Sequence, residues 1–284
     1  MTPAPEAPRR FLGSGPSPER ASLVLFGVPL DLTASFRPGT DQGPRAIREC
    51  SQCLEEYSVP LGRDLRDKAY WDMGDLVLPP DPEAALPVIE QAAEGILARG
   101  QRFIALGGEH LLTLPLVRAL ARHHPDLVIL HFDAHADMRE DYEGVRLSHA
   151  TVLRRVVEVV GPGRLFQFGI RSGIPEELAF ARAHGQLFLG DTLQAVRQVV
   201  PTLAGRPAYL TIDVDVVDPA FAPGVGVPEP AGLTSHEILA CLELLSPLHI
   251  VSMDLVEVCP PFDPTQMTAV LAARLVREAI LTLF

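Results

Sequence analysis

Positive charge, thiols and long apolar runs are what this 284-residue sequence has least of, and each shortage removes a class of function. Lys and Arg number 24 against 36 Asp and Glu, a formal net charge of -12 that disfavours a nucleic-acid backbone as partner and suits a small cationic ligand. The four cysteines are Cys50, Cys53, Cys241 and Cys259, and only the first two approach a metal-type spacing, with no second pair to complete a tetrahedral zinc site. Cys50 and Cys53 fall in the helix-like stretch RAIRECSQCLEEY, where a three-residue step puts two small side chains on one face, so they read as packing residues. No apolar span is long enough for a bilayer, and the opening MTPAPEAPRRFLGSGPSPER has no apolar signal core. The expectation is a cytoplasmic protein with no membrane partner.

What is present is a chain 47% hydrophobic and long enough for a substantial core. It reads as a flexible Pro-rich segment over residues 1–20 followed by one domain over 21–284. Short apolar runs (SLVLFGVP, RFIALGG, LVILHFDAH, RLFQFGI, QLFLG, AYLTIDVDV and HIVSMDLVEV) alternate with longer stretches of helical period, from GPRAIRECSQCLEEY to the C-terminal QMTAVLAARLVREAILTLF. That alternation predicts an α/β fold with a mostly parallel sheet covered by helices. In such a sheet, ligands bind beyond the carboxyl ends of the strands, and the residues there are unusually polar.

The run LHFDAHAD ends one apolar strand with Asp133, His135 and Asp137, which share a direction while the chain stays extended. LTIDVDVVD ends another with Asp213 and Asp215, while Asp218, followed by Pro219, reads as a turn former. In IALGGEH two glycines permit a tight turn that brings His110 to the same rim. A buried cluster of carboxylates asks for cations, since each unpaired buried charge costs several kcal/mol. Two imidazoles and four carboxylates suffice for two divalent ions if some carboxylates bridge, and an oxygen–nitrogen set without thiolate favours an ion such as manganese over structural zinc. His123, His124, His184, His236 and His249 stand alone and read as surface or capping residues.

From about Val28 to the C-terminus the sequence resembles the ureohydrolases, the family of arginase, agmatinase and guanidinobutyrase. The resemblance rests on GGEH at 107–110, DAHAD at 133–137, SHAT at 148–151, DVDVVDPAFAPGVGVPEPAGLT from Asp213 and SMDLVEVCP from Ser252. The segment FRPGTDQGPRAIRE at 36–49 is similar to the N-terminal signature of the agmatinase branch. The resemblance implies a three-layer α/β/α catalytic domain assembled into homo-oligomers, trimers or hexamers, with two Mn2+ per subunit. One ion would be held by His110, Asp133, Asp137 and Asp213, the other by Asp133, His135, Asp213 and Asp215. Such a pair lowers the pKa of a shared water. By the same resemblance Asp137 passes a proton to the leaving amine, Glu257 pairs with the guanidinium through its two oxygens, and His149 shuttles protons.

Two departures bear on substrate. The stretch more often written GTGTPEP reads GVGVPEP, so Val225 and Val227 replace threonines, and Val227 lies where a hydroxyl contacts the guanidinium in relatives. The loop MREDYEGVRLS lacks the Asn and Ser arrangement with which arginases grip an amino acid, which argues against arginine. Its Glu140, Asp141 and Glu143 point instead to a distal amine, partly offset by Arg139 and Arg146. The function expected is hydrolysis of agmatine to putrescine, or of N-aminopropylagmatine to spermidine, in polyamine biosynthesis. The alternatives are a guanidinobutyrase-type activity, with Arg139 as the anchor for a substrate carboxylate, and a non-catalytic assembly or regulatory subunit. The presence of all six candidate ligands disfavours the last.

Overall fold

The computed structural model describes residues 9–15 and 17–284. Its strands are β1 (Leu23–Val28), β2 (Tyr57–Ser58), β3 (Arg63–Asp64), β4 (Tyr70–Asp75), β5 (Arg102–Gly107), β6 (Val128–Phe132), β7 (Leu165–Phe168), β8 (Gln186–Phe188), β9 (Pro207–Asp213) and β10 (His249–Val256). The α-helices are α1 (Gly43–Ser51), α2 (Pro82–Leu97), α3 (Thr113–His123), α4 (Val152–Val160), α5 (Pro175–His184), α6 (Thr192–Val199), α7 (Ser235–Leu244) and α8 (Met267–Leu283). Eight strands form one sheet in the order β4-β1-β5-β10-β9-β6-β7-β8, every pairing parallel, while β2 and β3 make a separate antiparallel hairpin.

Alternation along the central strands sorts the core into two halves. In β1, Leu23 and Leu25 face one apolar cluster, shared with side chains of α1, α6, α7 and α8. Val24, Phe26 and Val28 face the other, shared with α2, α3, α4 and α5. A strand buried on both faces can be apolar throughout, and all six residues of β1 are buried. The result is the expected three-layer α/β/α arrangement.

Two local differences from the sequence reading have identifiable causes. Helix α1 stops at Ser51 instead of running to Tyr57, because the chain turns there to form the β2–β3 hairpin. Strand β4, YWDMGD, was not anticipated, since its inward position carries a charge. Asp72 is fully buried, and Arg48 of α1 meets it through Nε at 2.7 Å and Nη2 at 2.9 Å, so the strand pairs with β1 at the sheet edge. The expected flexible segment over 1–20 lies partly outside the described residues. Within its described part, Phe11 is buried and donates its backbone N–H to Asp72. No described helix is long and apolar enough to cross a membrane.

Candidate metal centre

Four neighbouring strands end at the same rim. Past β5 the chain turns through Gly107 and Gly108, and a Cβ on Gly108 would stand 2.0 Å from the Leu30 carbonyl oxygen, so only glycine lets the backbone pass. The turn brings His110 beside Asp133 from the end of β6 and Asp213 from the end of β9. Glu257, just past β10, accepts the His110 backbone N–H at 2.7 Å. Asp137 and Glu257 both adopt left-handed backbone, with φ of 52° and 67°, a conformation that costs a non-glycine residue on the order of 1 kcal/mol and recurs at functional sites.

The expected ligands converge. His110 Nδ1 lies 3.1 Å from Asp133 Oδ2 and 3.3 Å from both Asp137 Oδ2 and Asp213 Oδ2, yet has no hydrogen-bond partner. A buried ring nitrogen facing three carboxylate oxygens without a bond to any is the arrangement a cation completes. Beside it, His135 Nδ1 lies 2.9 Å from Asp215 Oδ2 and 3.5 Å from Asp133 Oδ1. Asp133, His135 and Asp215 form one group compact enough to hold an ion, and Asp133 belongs to both surroundings. The donor set of imidazole nitrogen and carboxylate oxygen fits divalent metal.

The charge balance says the same. Burial, then Asp215 and Asp133, push the Asp213 carboxyl well above its ordinary range, and burial with Asp133 lifts Asp137 to about 7. Burial would lower His135, but Asp215 and Asp133 outweigh it and raise the imidazole to about 12. Asp133 goes the other way: burial opposes ionisation, yet His131, His110 and His135 hold it well below the carboxylate range. Without cations, the cluster balances its charge with protons.

Above the cluster lies a cavity of about 210 Å³ whose wall includes Asp137, Asp213, Asp215, Val227, Glu257 and His149. His149 is held by a loop that the fully buried Glu109 organises. Glu109 accepts the Leu32 and Thr33 backbone N–H groups at 2.8 and 2.7 Å and the Thr33 hydroxyl at 3.0 Å. With its one proton given to Glu109, Thr33 Oγ1 can only accept from His149 Nδ1 at 3.2 Å, so Nε2 carries the lone pair, 3.2 Å from Ser35 Oγ. Burial, then His110 and His135, bring the imidazole down to about 4, lower than the near-neutral value a shuttle suggests.

The rest of the wall departs from the sequence reading. Glu140 is turned away and paired with Arg146, Arg154 and Arg155, Asp141 accepts the Gly144 N–H, and none of the loop's acidic side chains Glu140, Asp141 and Glu143 is on the cavity wall. Arg139 does line it, with its guanidinium 5.2 Å from the Tyr142 ring centroid and its Nε 3.8 Å from Glu177. Besides Glu257, the acidic groups on the wall beyond the cluster are Glu177, whose carboxylate accepts the Met138 and Ile174 N–H groups, and Glu229, whose carboxylate meets no basic group within 4 Å among the described residues. Neither was singled out from the sequence, nor was His131, buried directly beneath Asp133. Val225 is buried beside Val258, away from the cavity, whereas Val227 faces it. Cys50, Cys241 and Cys259 are buried free thiols and Cys53 is exposed and free, none of them in the candidate metal groups.

A match to the Arginase family spans residues 21–282, and the chain belongs to that family. It is 45% identical over 275 residues to the agmatinase of Bacillus subtilis, covering 95% of each protein. It is 35% identical to the proclavaminate amidinohydrolase of Streptomyces clavuligerus, covering 93% of this chain and 89% of that protein. The solved agmatine ureohydrolase of Thermoplasma volcanium superposes with a TM-score of 0.89 at 32% identity, covering 98% of this chain and 95% of that one.

Proposed function

We propose that this chain hydrolyses agmatine to putrescine and urea at a centre holding two manganese ions, as a cytoplasmic step in polyamine synthesis carried out by a homo-oligomer. The observation that carries the reading is one cavity in which the Glu257 carboxylate shares a wall with Asp137, Asp213 and Asp215, so a planar cation can pair with one group while facing the others. The agmatinase relatives support the choice of substrate.

His110, Asp133, Asp137 and Asp213 would hold one ion and Asp133, His135, Asp213 and Asp215 the other. When bound, the pair supplies water activation and polarisation of the guanidinium carbon's surroundings. Glu257 is fixed from below by the His110 N–H, which leaves its second oxygen for the guanidinium. Asp137 carries its carboxyl at the edge of the cluster, where it can take a proton and deliver it to the departing amine. His149 is neutral at pH 7 with Nε2 as its basic atom, so it accepts a proton from the cavity side and returns it through Ser35 or solvent.

Two features favour a second reading, a guanidino acid as substrate: Arg139 lines the cavity, and one relative is a proclavaminate amidinohydrolase. The test is urea release by manganese-loaded protein from agmatine, N-aminopropylagmatine, guanidinobutyrate and arginine, compared by initial rates. Agmatine is expected to lead. Guanidinobutyrate turnover that Arg139→Ala abolishes would move the function to guanidino acids, and no urea from any of the four would remove the reaction.

A further inference from the structure

Beneath the candidate ligands a row of buried polar side chains crosses four adjacent strands in register. Gln167 of β7 lies beside His131 of β6, His131 beside Thr211 of β9, and Thr211 beside Asp254 of β10. All four are fully buried in a sheet otherwise filled with Val, Leu, Ile and Phe. His131 and Thr211 each stand two residues before a candidate ligand, Asp133 and Asp213, on the same face of their strands.

The hydrogen bonds in this row have only one consistent direction. The Ala136 carbonyl can only accept, and it lies 2.8 Å from the Gln167 amide nitrogen. The reverse amide orientation would set two oxygens against each other, so Nε2 is the atom facing both Ala136 and His131. That nitrogen lies 3.1 Å from His131 Nδ1, which must accept. The proton of a neutral His131 therefore sits on Nε2, which donates to Asp133 Oδ2 at 2.8 Å. His131 belongs to a compact group with His110 and Asp133, yet neither of its nitrogens has a lone pair left for an ion. On the other side, His110 Nε2 lies 2.9 Å from Thr211 Oγ1, so the same row also holds the far edge of a ligand imidazole.

We propose that Gln167 and His131 are positioning residues of the metal centre: the Ala136 carbonyl orients Gln167, Gln167 sets the tautomer of His131, and His131 fixes one oxygen of Asp133. The inference rests on the reading of the cluster as a metal centre and is independent of the substrate. Partners that orient metal ligands in this way commonly change affinity by about 10- to 100-fold when removed.

The test titrates manganese into the metal-free full-length chain by calorimetry and counts ions per subunit after gel filtration. His131→Phe is expected to weaken the more loosely held ion by about 10- to 100-fold. His131→Gln places an amide donor near the position of Nε2 and is expected to restore binding to within about threefold of the parent. Gln167→Leu, which leaves His131 in place, is expected to shift affinity in the same direction as His131→Phe. Nitrogen chemical shifts of His131 in the metal-free parent are expected to report the Nε2–H form, a readout that needs no variant to fold. Unchanged affinity in His131→Phe, equal losses in His131→Phe and His131→Gln, no effect of Gln167→Leu, or an Nδ1–H tautomer would each overturn the proposal. Failure of the parent itself to bind manganese would instead remove the reading of the centre.

Discussion

Removing the metal should make this protein's stability fall as pH rises. In the metal-free chain, Asp137 titrates near 7 in place of its ordinary 3.8, and burial with the Asp215 and Asp133 charges also holds Asp213 well above that ordinary value. A buried acid with a raised pKa contributes fully below its unfolded value, and that contribution is lost as pH climbs towards its folded value. His135, raised to about 12 by its carboxylate neighbours, acts in the same direction from about 6.5 upward. Asp133 is held low, so its contribution is complete throughout this window and is lost only on stronger acidification. At about 1.4 kcal/mol per pH unit, Asp137 alone removes about 4 kcal/mol between pH 4 and 7. An unfolding entropy of about 2.1 cal/mol/K per residue over 284 residues makes this a drop of about 7 °C in Tm. Chelator-treated and manganese-loaded protein should be melted side by side at pH 5, 6, 7 and 8. The gap between the two curves is expected to widen steadily with pH, because bound cations take over the neutralisation that protons provide. A metal-free protein as stable at pH 8 as at pH 5, or one that gains stability across that range, would refute the argument.

Asp72→Ala leaves the 3% exposed Arg48 as a buried cation without its bidentate partner, and a loss of about 3–5 kcal/mol is expected from urea unfolding, with urea-releasing activity per folded molecule retained. Gly108→Ala drives a Cβ into the Leu30 backbone and should cost at least about 3 kcal/mol, seen as loss of soluble protein, whereas Gly95→Ala in α2, which meets nothing within 4 Å, should stabilise by about 0.5–1 kcal/mol in the same assay. Glu257→Gln keeps an acceptor for the His110 N–H but removes the charge presented to a guanidinium. An approximately 100-fold fall in kcat/KM with unchanged manganese content is expected, and a shared loss of both would assign Glu257 to holding the centre together.

The architecture was legible because its central strands are apolar on both faces and its helices carry clear period, so seven strands and eight helices could be read from pattern alone. Strand β4 was hidden because Asp72 looks like a surface residue until Arg48, 24 positions earlier, is folded against it. The rim residues were legible for a related reason: Asp133, His135 and Asp213 interrupt or end apolar runs, and a charge there stands out. His131 sits within such a run and shows its use only beside Gln167, on a strand 36 residues later. The acidic loop misled for the opposite reason. Glu140 looks available in sequence, but three arginines occupy it, two of them from the next helix, while Glu229, on a distant loop, lines the cavity instead.

The strand order also sets a timetable for synthesis. Strand β10, the last to be made, inserts between β5 and β9, so until it emerges those two strands share no neighbour. Asp133, His135, Asp213 and Asp215 come from adjacent β6 and β9 and can assemble on a growing chain. His110 follows β5, on the far side of β10, and its backbone N–H has its acceptor only once Glu257 has been made. On this order the residues read as holding one ion can meet first, and the set that includes His110, which follows β5, comes together across the sheet once β10 pairs with both β5 and β9.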